Sequence, residues 1–476
     1  MGAKRLALVL VLLAGCELAD EGANTSVTAE QVHSFPDLIR GDNTELGDAF
    51  GASIALSADG STLAVGAIGE DGGARGVNPP DLDGWSPSAG AVYVFTRVDD
   101  AWVQQAYIKA SNARSYNWFG ASVALSADGS TLAVGAIGES SLATGINGDQ
   151  EQGLGEGGAV YVFTRDHDAW SQQAYVKAHR TLAMNFGHRV ALSADGDTLA
   201  ATAPQDWGPD LFDGAFQEIG SVYVFGRAGT QWAQETYLQA AHPDPGDMLG
   251  HSLALSSDGT LLAAGAVNES GGGALVQGNQ RDNSRPASGA VYVFRKTGRH
   301  WRQAAYLKAS HPDEGDMFGG ESVALSPDGT TLAATATGER SASTGVGGDQ
   351  TDNSTPYAGA VYLFQLEATH WTQTSYLKAS DTRADLLFGS SVALSAASLV
   401  TGAVGWTNED PEGITGGSAY VFSTTGAVAQ TEYLESPMPW DLGQFGRTVA
   451  IRADGSAIAV GAPFEEGIGS VHVFAP

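Results

Sequence analysis

Three glycine-rich segments carry acidic and amide side chains in a recurring arrangement: "ATGINGDQEQG" (residues 143–153), "GNQRDNS" (278–284) and "STGVGGDQTDNS" (343–354). Carboxylate and amide oxygens are the ligands of calcium, which takes about six to eight of them. The same side chains also cap turns by accepting backbone hydrogen bonds, and their recurrence favours a shared structural role. Turn capping, cation binding and direct ligand contact stay open as interpretations. The weak metal candidates are Asp149, Asp282, Asn283, Asp349, Asp352 and Asn353.

The ten tryptophans fall into two groups. One group lies at the same point of a repeated apolar segment and is predicted to pack in the core: Trp102, Trp170, Trp232, Trp301 and Trp371. The other lies in long connecting segments, where an exposed ring can stack on a sugar or anchor a protein partner. These ligand-contact candidates are Trp85, Trp118, Trp207, Trp406 and Trp440.

The histidines do not suggest a catalytic set. His242 and His311 each begin a His-Pro-Asp triplet at the same place in successive repeats, and His300 and His370 share another repeat position. Residues copied by a repeat differ from a nucleophile, base and orienting acid that converge on one site. The sequence also has no phosphate loop, Cys/His metal spacing or nucleophile elbow. We therefore predict no catalytic residues and no enzyme activity.

The N-terminus, "MGAKRLALVLVLLAGC", indicates processing rather than fold. Lys4 and Arg5 precede an apolar run that is too short to span a bilayer. Leu13-Ala14-Gly15-Cys16 resembles a bacterial lipobox, in which cleavage precedes a lipid-modified cysteine, and Cys16 is the only cysteine. We predict a signal peptide over residues 1–15 and an acylated Cys16 that begins a flexible tether ending at residue 31. Because Glu17 rather than aspartate follows the cysteine, the outer membrane or cell surface is favoured.

Composition narrows the function classes. Among 476 residues, 54 are acidic and 24 are Lys or Arg, which gives a formal charge of −30. Nucleic-acid binding is excluded because it needs clustered basic residues to neutralise phosphates. The 63 glycines favour many turns over long helices, and 43% hydrophobic residues are enough for a real core.

One apolar segment recurs along the chain. "GAVYVFTRDHDAW" (158–170) has close copies at 90–102, 220–232, 289–301 and 359–371. Each unit contains four predicted strands, a to d, with a short "ADGS"-type turn between a and b and a long loop between b and c. Nearly continuous apolar strands are typical of sheets covered on both faces, so we predict an all-β, seven-bladed β-propeller of four-stranded antiparallel blades. The seven units begin at Phe50, Phe119, Phe186, Leu249, Phe318, Phe388 and Phe445, each followed by glycine.

The two ends of the repeat array predict how the ring closes. The seventh unit stops after strand c, "GSVHVFAP" (469–476), while "DLIRGDNTELGDAFG" (37–51) before the first unit aligns with "AYLKASHPDEGDMFG" (305–319). Residues of about 32–40 are therefore expected to supply strand d of the last blade, which leaves no unpaired sheet edge there. The propeller is predicted to span residues 32–476.

Residues 445–474, "FGRTVAIRADGSAIAVGAPFEEGIGSVHVF", contain both literal halves of an FG-GAP repeat. The chain resembles the FG-GAP, integrin-α-like β-propeller family, and the resemblance implies a seven-bladed propeller with a role in binding or adhesion. Integrin blades often carry a DxDxDG calcium loop between strands a and b, but here that position holds only turns such as "SADGS" (57–61). One aspartate offers too few oxygens for calcium, so we expect no cofactor at the family position.

Antiparallel strands sort the loops onto two faces. The a–b and c–d turns share one face, and the b–c and d–a connections share the other, which we call the long-loop face. We predict a lipid-anchored, extracytoplasmic binding or adhesion scaffold that engages a protein or envelope partner through the long-loop face. The first alternative is a carbohydrate-binding lectin with a glycan partner, and the second is an enzyme with a site between blades. Membrane contact is expected through the lipid anchor only.

Overall fold

The computed structural model describes residues 36–79, 85–151, 153, 155, 157–180, 183–208, 218–274, 276, 278–405, 416–438 and 442–475. These residues form seven antiparallel blades, and hydrogen bonds join strands a, b, c and d of each blade in that order. Strand a lies at the central axis, where strands a of five blades line one cavity. The predicted seven-bladed propeller is confirmed.

The strand bounds follow the repeat closely. Blade 1 contains Phe50–Leu56, Thr62–Ala67, Ala91–Val98 and Ala101–Lys109. Blade 2 contains Phe119–Leu125, Thr131–Ala136, Ala159–Asp166 and Ala169–Val176. Blade 3 contains Val190–Leu192, Thr198–Ala203, Ser221–Ala228 and Gln231–Leu238. Blade 4 contains Leu249–Leu255, Leu261–Ala266, Ala290–Thr297 and His300–Leu307. Blade 5 contains Val323–Leu325, Thr331–Ala336, Ala360–Glu367 and His370–Leu377. Blade 6 contains Phe388–Leu394, Ser398–Ala403, Ser418–Ser423 and Ala429–Glu435. Blade 7 contains Thr448–Ile451, Ile458–Ala462, Ser470–Phe474 and, as strand d, Asp37–Ile39.

A few short elements lie outside this pattern. Gly76–Val77 adds a fifth strand beside strand d of blade 1. Ala183–Met184 pairs with Gln205–Asp206 in blade 3, and Glu465–Gly467 forms a single 3₁₀ turn. Within the described ranges, the chain has no helix with the length and apolarity needed to span a membrane.

The N-terminal strand closes the ring as the sequence predicts. Asp37, Leu38 and Ile39 pair with Val473, His472 and Val471 in antiparallel register. Ile39 is buried in a cluster that also contains residues of blades 1 and 7. Within blade 7, Arg40 forms a 2.6 Å ion pair with Glu466. Blade 1 is tied to blade 7 where the Phe50 N–H donates to the Ile468 carbonyl at 3.0 Å.

The Phe-Gly pair explains how neighbouring blades pack. The Phe119 ring is fully buried and lies edge-on to Tyr161 of its own blade, with ring centroids 5.3 Å apart. The carbonyl of Gly120 accepts a 2.7 Å hydrogen bond from the Ser53 hydroxyl of the preceding blade. A Cβ on Gly66, in strand b of that blade, would lie 2.2 Å from the same carbonyl oxygen. Glycine is therefore needed at this point of strand b in blade 1, where it meets the Phe-Gly turn of blade 2.

The Asp-Gly turns between strands a and b are complete hydrogen-bonded units. In blade 5, the Ser326 hydroxyl donates to Asp328 Oδ1 at 2.6 Å and the Thr330 N–H donates to the same oxygen at 3.0 Å. These hydrogen bonds hold the pKa of Asp328 below its usual value. Gly329 has a φ of 69°, the left-handed conformation that the sequence predicts at this glycine.

Candidate functional site

Most of the exposed large apolar side chains lie on the long-loop face. Of the thirteen such side chains among the described residues, nine belong to b–c or d–a connections. Large exposed apolar patches mark interaction surfaces, whereas isolated exposed apolar residues need no explanation. We call these nine residues the apolar rim: Leu46, Trp85, Tyr116, Trp118, Leu142, Val346, Tyr357, Leu442 and Phe464.

Backbone hydrogen bonds between loops hold the rim residues of blades 1 and 2. The Tyr116 N–H donates to the Pro87 carbonyl at 2.7 Å, and the Trp118 N–H donates to the Ser88 carbonyl at 3.1 Å. Trp118 has a φ of 50°, and the residue before the Phe-Gly or Leu-Gly pair has positive φ in all seven blades. The repeat thus imposes a left-handed turn at this position, and the side chain it presents differs from blade to blade.

Four blades carry a buried ion pair at the base of the b–c loop. In blade 4, Lys308 Nζ lies 2.8 Å from Glu269 Oε2, and the Tyr306 hydroxyl donates to Glu269 Oε1 at 2.8 Å. The Glu269 carbonyl also accepts a 2.8 Å bond from the N–H of Gly289, where the loop ends. Each pair therefore fixes both ends of its loop against strand d. The four pairs are Glu70–Lys109, Glu139–Lys177, Glu269–Lys308 and Glu339–Lys378.

Sequence reasoning did not find these ion pairs, although a signal was available. The glutamate follows strand b by three residues, and the lysine of the "AYLKA"-type segment ends strand d in blade 1 and directly follows it in blades 2, 4 and 5. Both residues occur together in blades 1, 2, 4 and 5, and both change together in blade 3, where Asp206 and Gln239 stand instead. In blade 3 the Asp206 carboxylate accepts hydrogen bonds from Ser221 at 2.7 Å and Tyr223 at 2.8 Å.

Three buried aspartates hold the d–a turns on the same face: Asp48, Asp247 and Asp316. The Asp244 N–H donates to Asp247 Oδ2 at 2.8 Å, and the Asp313 N–H donates to Asp316 Oδ2 at 2.8 Å. Burial raises the pKa of Asp48 from 3.8 to about 6 and the pKa of both Asp247 and Asp316 from 3.8 to about 7. The folded state therefore keeps protons that the unfolded chain has released, and the free energy of unfolding falls as pH rises from about 4 to about 7.

Asp247→Asn is expected to stabilise the protein at about pH 8 and to have little effect near pH 4. A rise in pKa from 3.8 to about 7 corresponds to about 4 kcal/mol, which the amide avoids because it carries no charge. Asn117 occupies the same place in blade 2, so an amide is compatible with this turn. The measurement is the melting temperature of wild type and variant across this pH range.

The matched control for this prediction is Asp99→Asn, which removes the same charge from an exposed c–d turn. Its melting temperature should follow wild type at every pH. The burial argument is contradicted if Asp247→Asn leaves the pH dependence of stability unchanged.

The structure places the loop tryptophans in different environments. The Trp85 side chain is 82% exposed and Trp118 is 39% exposed, and both belong to the apolar rim. Trp207 is partly buried, and it has contacts within the protein. Trp406 and Trp440 lie outside the described residues. In strand d, Trp170, Trp232, Trp301 and Trp371 are buried and Trp102 is half-buried, as predicted for packing residues.

The candidate cation ligands lie on separate loops of blades 2, 4 and 5. Their carboxylates accept hydrogen bonds from nearby N–H groups: Asp149 from Glu151 at 2.9 Å, Asp282 from Ser284 at 3.1 Å, Asp349 from Thr351 at 2.9 Å and Asp352 from Ser354 at 3.0 Å. Asn283 is exposed, and the Asn353 amide donates to Asp313 at 2.9 Å. No cluster of three or more His, Cys, Asp or Glu side chains suited to a metal occurs in the described part of the chain. The observed contacts are those of turn capping.

The predicted lipidation site, Cys16, lies outside the described residues.

Comparison with known proteins agrees with this architecture. The family model described as "FG-GAP repeat" matches residues 102–163 and 371–422. Each match runs from strand d of one blade through strand c of the next. No curated protein matches the sequence. A solved structure of Kuenenia stuttgartiensis hydrazine synthase is similar in fold, with a TM-score of 0.53 and 12% identity over 90% of this chain and 96% of that chain. At this identity the likeness concerns the fold alone. The chain is a seven-bladed β-propeller that contains FG-GAP repeats at residues 102–163 and 371–422.

Proposed function

We propose that this protein is a lipid-anchored, extracytoplasmic binding scaffold that engages a protein partner through the apolar rim. The observation that carries the proposal is the concentration of nine exposed large apolar side chains on the long-loop face. The buried ion pairs and inter-loop hydrogen bonds support it, because a preorganised surface loses less conformational entropy when it binds.

The composition of the rim favours a protein over a glycan. Leu46, Leu142 and Leu442 are exposed aliphatic residues, and Val346 adds a fourth. Aliphatic side chains gain free energy when they are buried in an apolar interface, whereas sugar recognition uses flat aromatic rings beside hydrogen-bonding groups. The five aromatic members of the rim suit either partner, so the glycan alternative rests on them: Trp85, Tyr116, Trp118, Tyr357 and Phe464.

Charge indicates what surrounds the apolar contact. The whole chain has a formal charge of −30. Such a field accelerates association with a basic surface and disfavours acidic ones. We therefore expect the partner protein to carry basic residues around an apolar centre, and the affinity to fall as salt is added.

The partner class can be tested on envelope fractions of the source cell. Binding of the purified chain is measured to untreated fractions, to fractions digested with protease, and to fractions oxidised with periodate, which cleaves the vicinal diols of sugars. A protein partner predicts loss of binding after protease and retention after periodate. Retention after protease with loss after periodate would overturn the protein proposal in favour of a lectin.

Cys16→Ser is expected to release the protein from membranes. A thiol-linked diacylglycerol and an amide-linked acyl chain together give stable anchoring, and serine cannot be lipidated in this way. The measurement is detergent phase partitioning of cell extracts that contain the wild type or the variant. Lys4→Ser, which leaves the cysteine in place, is the control. Membrane retention of Cys16→Ser equal to wild type would contradict the anchor.

A further inference from the structure

The residue that follows each Phe-Gly or Leu-Gly pair lies at the central axis. Three blades have a large basic side chain at this position where the other four have a small residue. Blades 1, 2, 5 and 6 have small residues there, whereas blades 3, 4 and 7 have His188, His251 and Arg447. The next position is serine or threonine in blades 1, 2, 4, 6 and 7, and its hydroxyl bonds the neighbouring blade. In blade 3 this position is Arg189. Titratable and charged side chains thus replace small or hydroxyl residues at the axis.

These replacements coincide with a cavity of about 620 Å³ on the axis. Its lining contains strand-a residues of five blades and the two residues that precede strand a of blade 5, and it reaches the apolar rim at Phe464. Among the lining residues described, the charged side chains are Arg189, Arg447 and Glu321, and the imidazole is His188. Cavities of about 300–1,000 Å³ are of the size that holds small-molecule ligands.

The charges in the cavity are not paired with one another. No ion pair within 4.0 Å joins Arg189, Arg447 or Glu321 to any residue described by the structure. The Arg189 side chain donates to the His188 carbonyl at 3.2 Å. Burial is the largest cause of a lowered pKa at Arg189, and Glu321 opposes this effect while Arg447 adds to it. The two guanidinium groups therefore lie within electrostatic range of each other. The cavity holds two positive charges and only one carboxylate.

The two histidines add hydrogen-bonding capacity beside the guanidinium groups. Their ring centroids are 5.1 Å apart, and His251 Nδ1 lies 2.8 Å from the Gly320 carbonyl. His188 Nε2 is buried and has no hydrogen-bond partner in the described part of the chain. Burial, followed by Arg189 and His251, lowers the pKa of His188, so the guanidinium groups supply the positive charge near neutral pH. A buried nitrogen without a partner is costly unless a ligand or water meets it.

We propose that the axial cavity binds a small oxyanion, a carboxylate, sulfate or phosphate group, through the guanidinium groups of Arg189 and Arg447. Planar guanidinium groups bind oxyanions with paired, charge-assisted hydrogen bonds. Unpaired positive charge at the axis of a chain with a formal charge of −30 is the feature that this ligand explains. The size of the cavity accommodates an organic acid as well as an inorganic anion. This site shares only Phe464 with the apolar rim, and it does not depend on a protein partner.

Isothermal titration of the full chain in a low-salt zwitterionic buffer tests the site, with sodium sulfate, sodium phosphate and sodium citrate as separate probes. We expect saturable one-to-one binding of at least one probe. Citrate alone would identify an organic acid as the ligand class, and equal binding of sulfate and phosphate would identify an inorganic oxyanion. Absence of binding for all three probes overturns the proposal.

Substitutions locate the binding. Arg447→Gln is expected to weaken the affinity at least about tenfold, equivalent to about 1.4 kcal/mol, and Glu321→Gln to leave it equal or stronger. Arg302→Gln removes the same charge from an exposed position on strand d of blade 4 and should leave the affinity unchanged. Arg447 is itself exposed to the cavity, so its substitution should leave the melting temperature near that of wild type. Equal weakening by Arg447→Gln and Arg302→Gln would show non-specific attraction and refute the site.

Discussion

Removal of residues 17–40 is expected to destabilise the propeller by on the order of 5 kcal/mol, whereas removal of residues 17–29 should leave its stability unchanged. The longer deletion takes away Asp37–Ile39, the strand d of blade 7, and with it the backbone pairing to Ser470–Phe474. It also removes Ile39 from the core and the Arg40–Glu466 ion pair. The measurement is the midpoint of urea denaturation for the two deletions and the full chain. Equal midpoints for the two deletions would contradict closure by this strand.

A matched pair of substitutions tests the same strand without truncation. Ile39 is 4% exposed and Leu38 is 49% exposed, because successive side chains of a strand point to opposite faces. Ile39→Ala is expected to cost about 2–5 kcal/mol through the cavity it leaves. Leu38→Ala is expected to change stability by less than about 0.5 kcal/mol. The opposite order would place the strand in a different register.

Lys308→Met is expected to lower the free energy of unfolding by about 3–5 kcal/mol. Lys308 Nζ donates to three oxygens, Glu269 Oε2 at 2.8 Å, Ser288 Oγ at 2.7 Å and the Gly289 carbonyl at 2.6 Å. Methionine has a similar length but leaves the buried Glu269 carboxylate without its counter-ion. The cost is mainly that of an uncompensated buried charge, since a buried pair as a whole contributes little. Urea denaturation of variant and wild type gives the difference.

The double variant Glu269→Gln/Lys308→Met separates this explanation from a simple loss of packing. The amide oxygen of glutamine can still accept the Tyr306 hydroxyl hydrogen bond, and no charge is left buried. We therefore expect the double variant to recover at least about half of the stability lost in Lys308→Met. A double variant as unstable as the single one would attribute the loss to packing around the lysine stem instead.

Features that every repeat copies could be predicted from the sequence. The Phe-Gly spacing predicts the blade count, and the unfinished seventh unit predicts that the N-terminal segment completes it. The Asp-Gly turns follow from local chemistry that needs no knowledge of neighbouring blades. The burial of the strand-d tryptophans could be predicted because a tryptophan recurs at the same position in five blades, which indicates a shared environment.

Features that depend on the ring geometry could not be predicted in the same way. Strand a has seven residues in blade 1 but three in blades 3 and 5, where Thr202 and Thr335 replace the strand-b glycine. The closed ring determines which side of strand a faces the axis, and therefore whether the Arg189 side chain lines the cavity. The exposure of Trp85 likewise depends on the conformation of its b–c loop, in which Trp85 forms a bridge with Gly72. Sequence periodicity reports what is shared among blades, whereas the candidate sites are built from the positions at which the blades differ.

The most direct test of the central claim, that the long-loop face is the binding surface, compares two double variants for binding to source-cell envelope fractions. Trp85→Ser/Leu142→Ser removes rim side chains from the b–c loops of blades 1 and 2, which Arg75 and Glu151 connect through an ion pair at 3.3 Å. Val98→Ser/Val103→Ser removes two exposed apolar side chains, 51% and 49% accessible, from strands c and d of blade 1. We predict that the rim variant binds at least about tenfold more weakly than wild type and that the strand variant binds as wild type does. Unchanged binding of the rim variant, or a larger loss in the strand variant, would contradict the assignment.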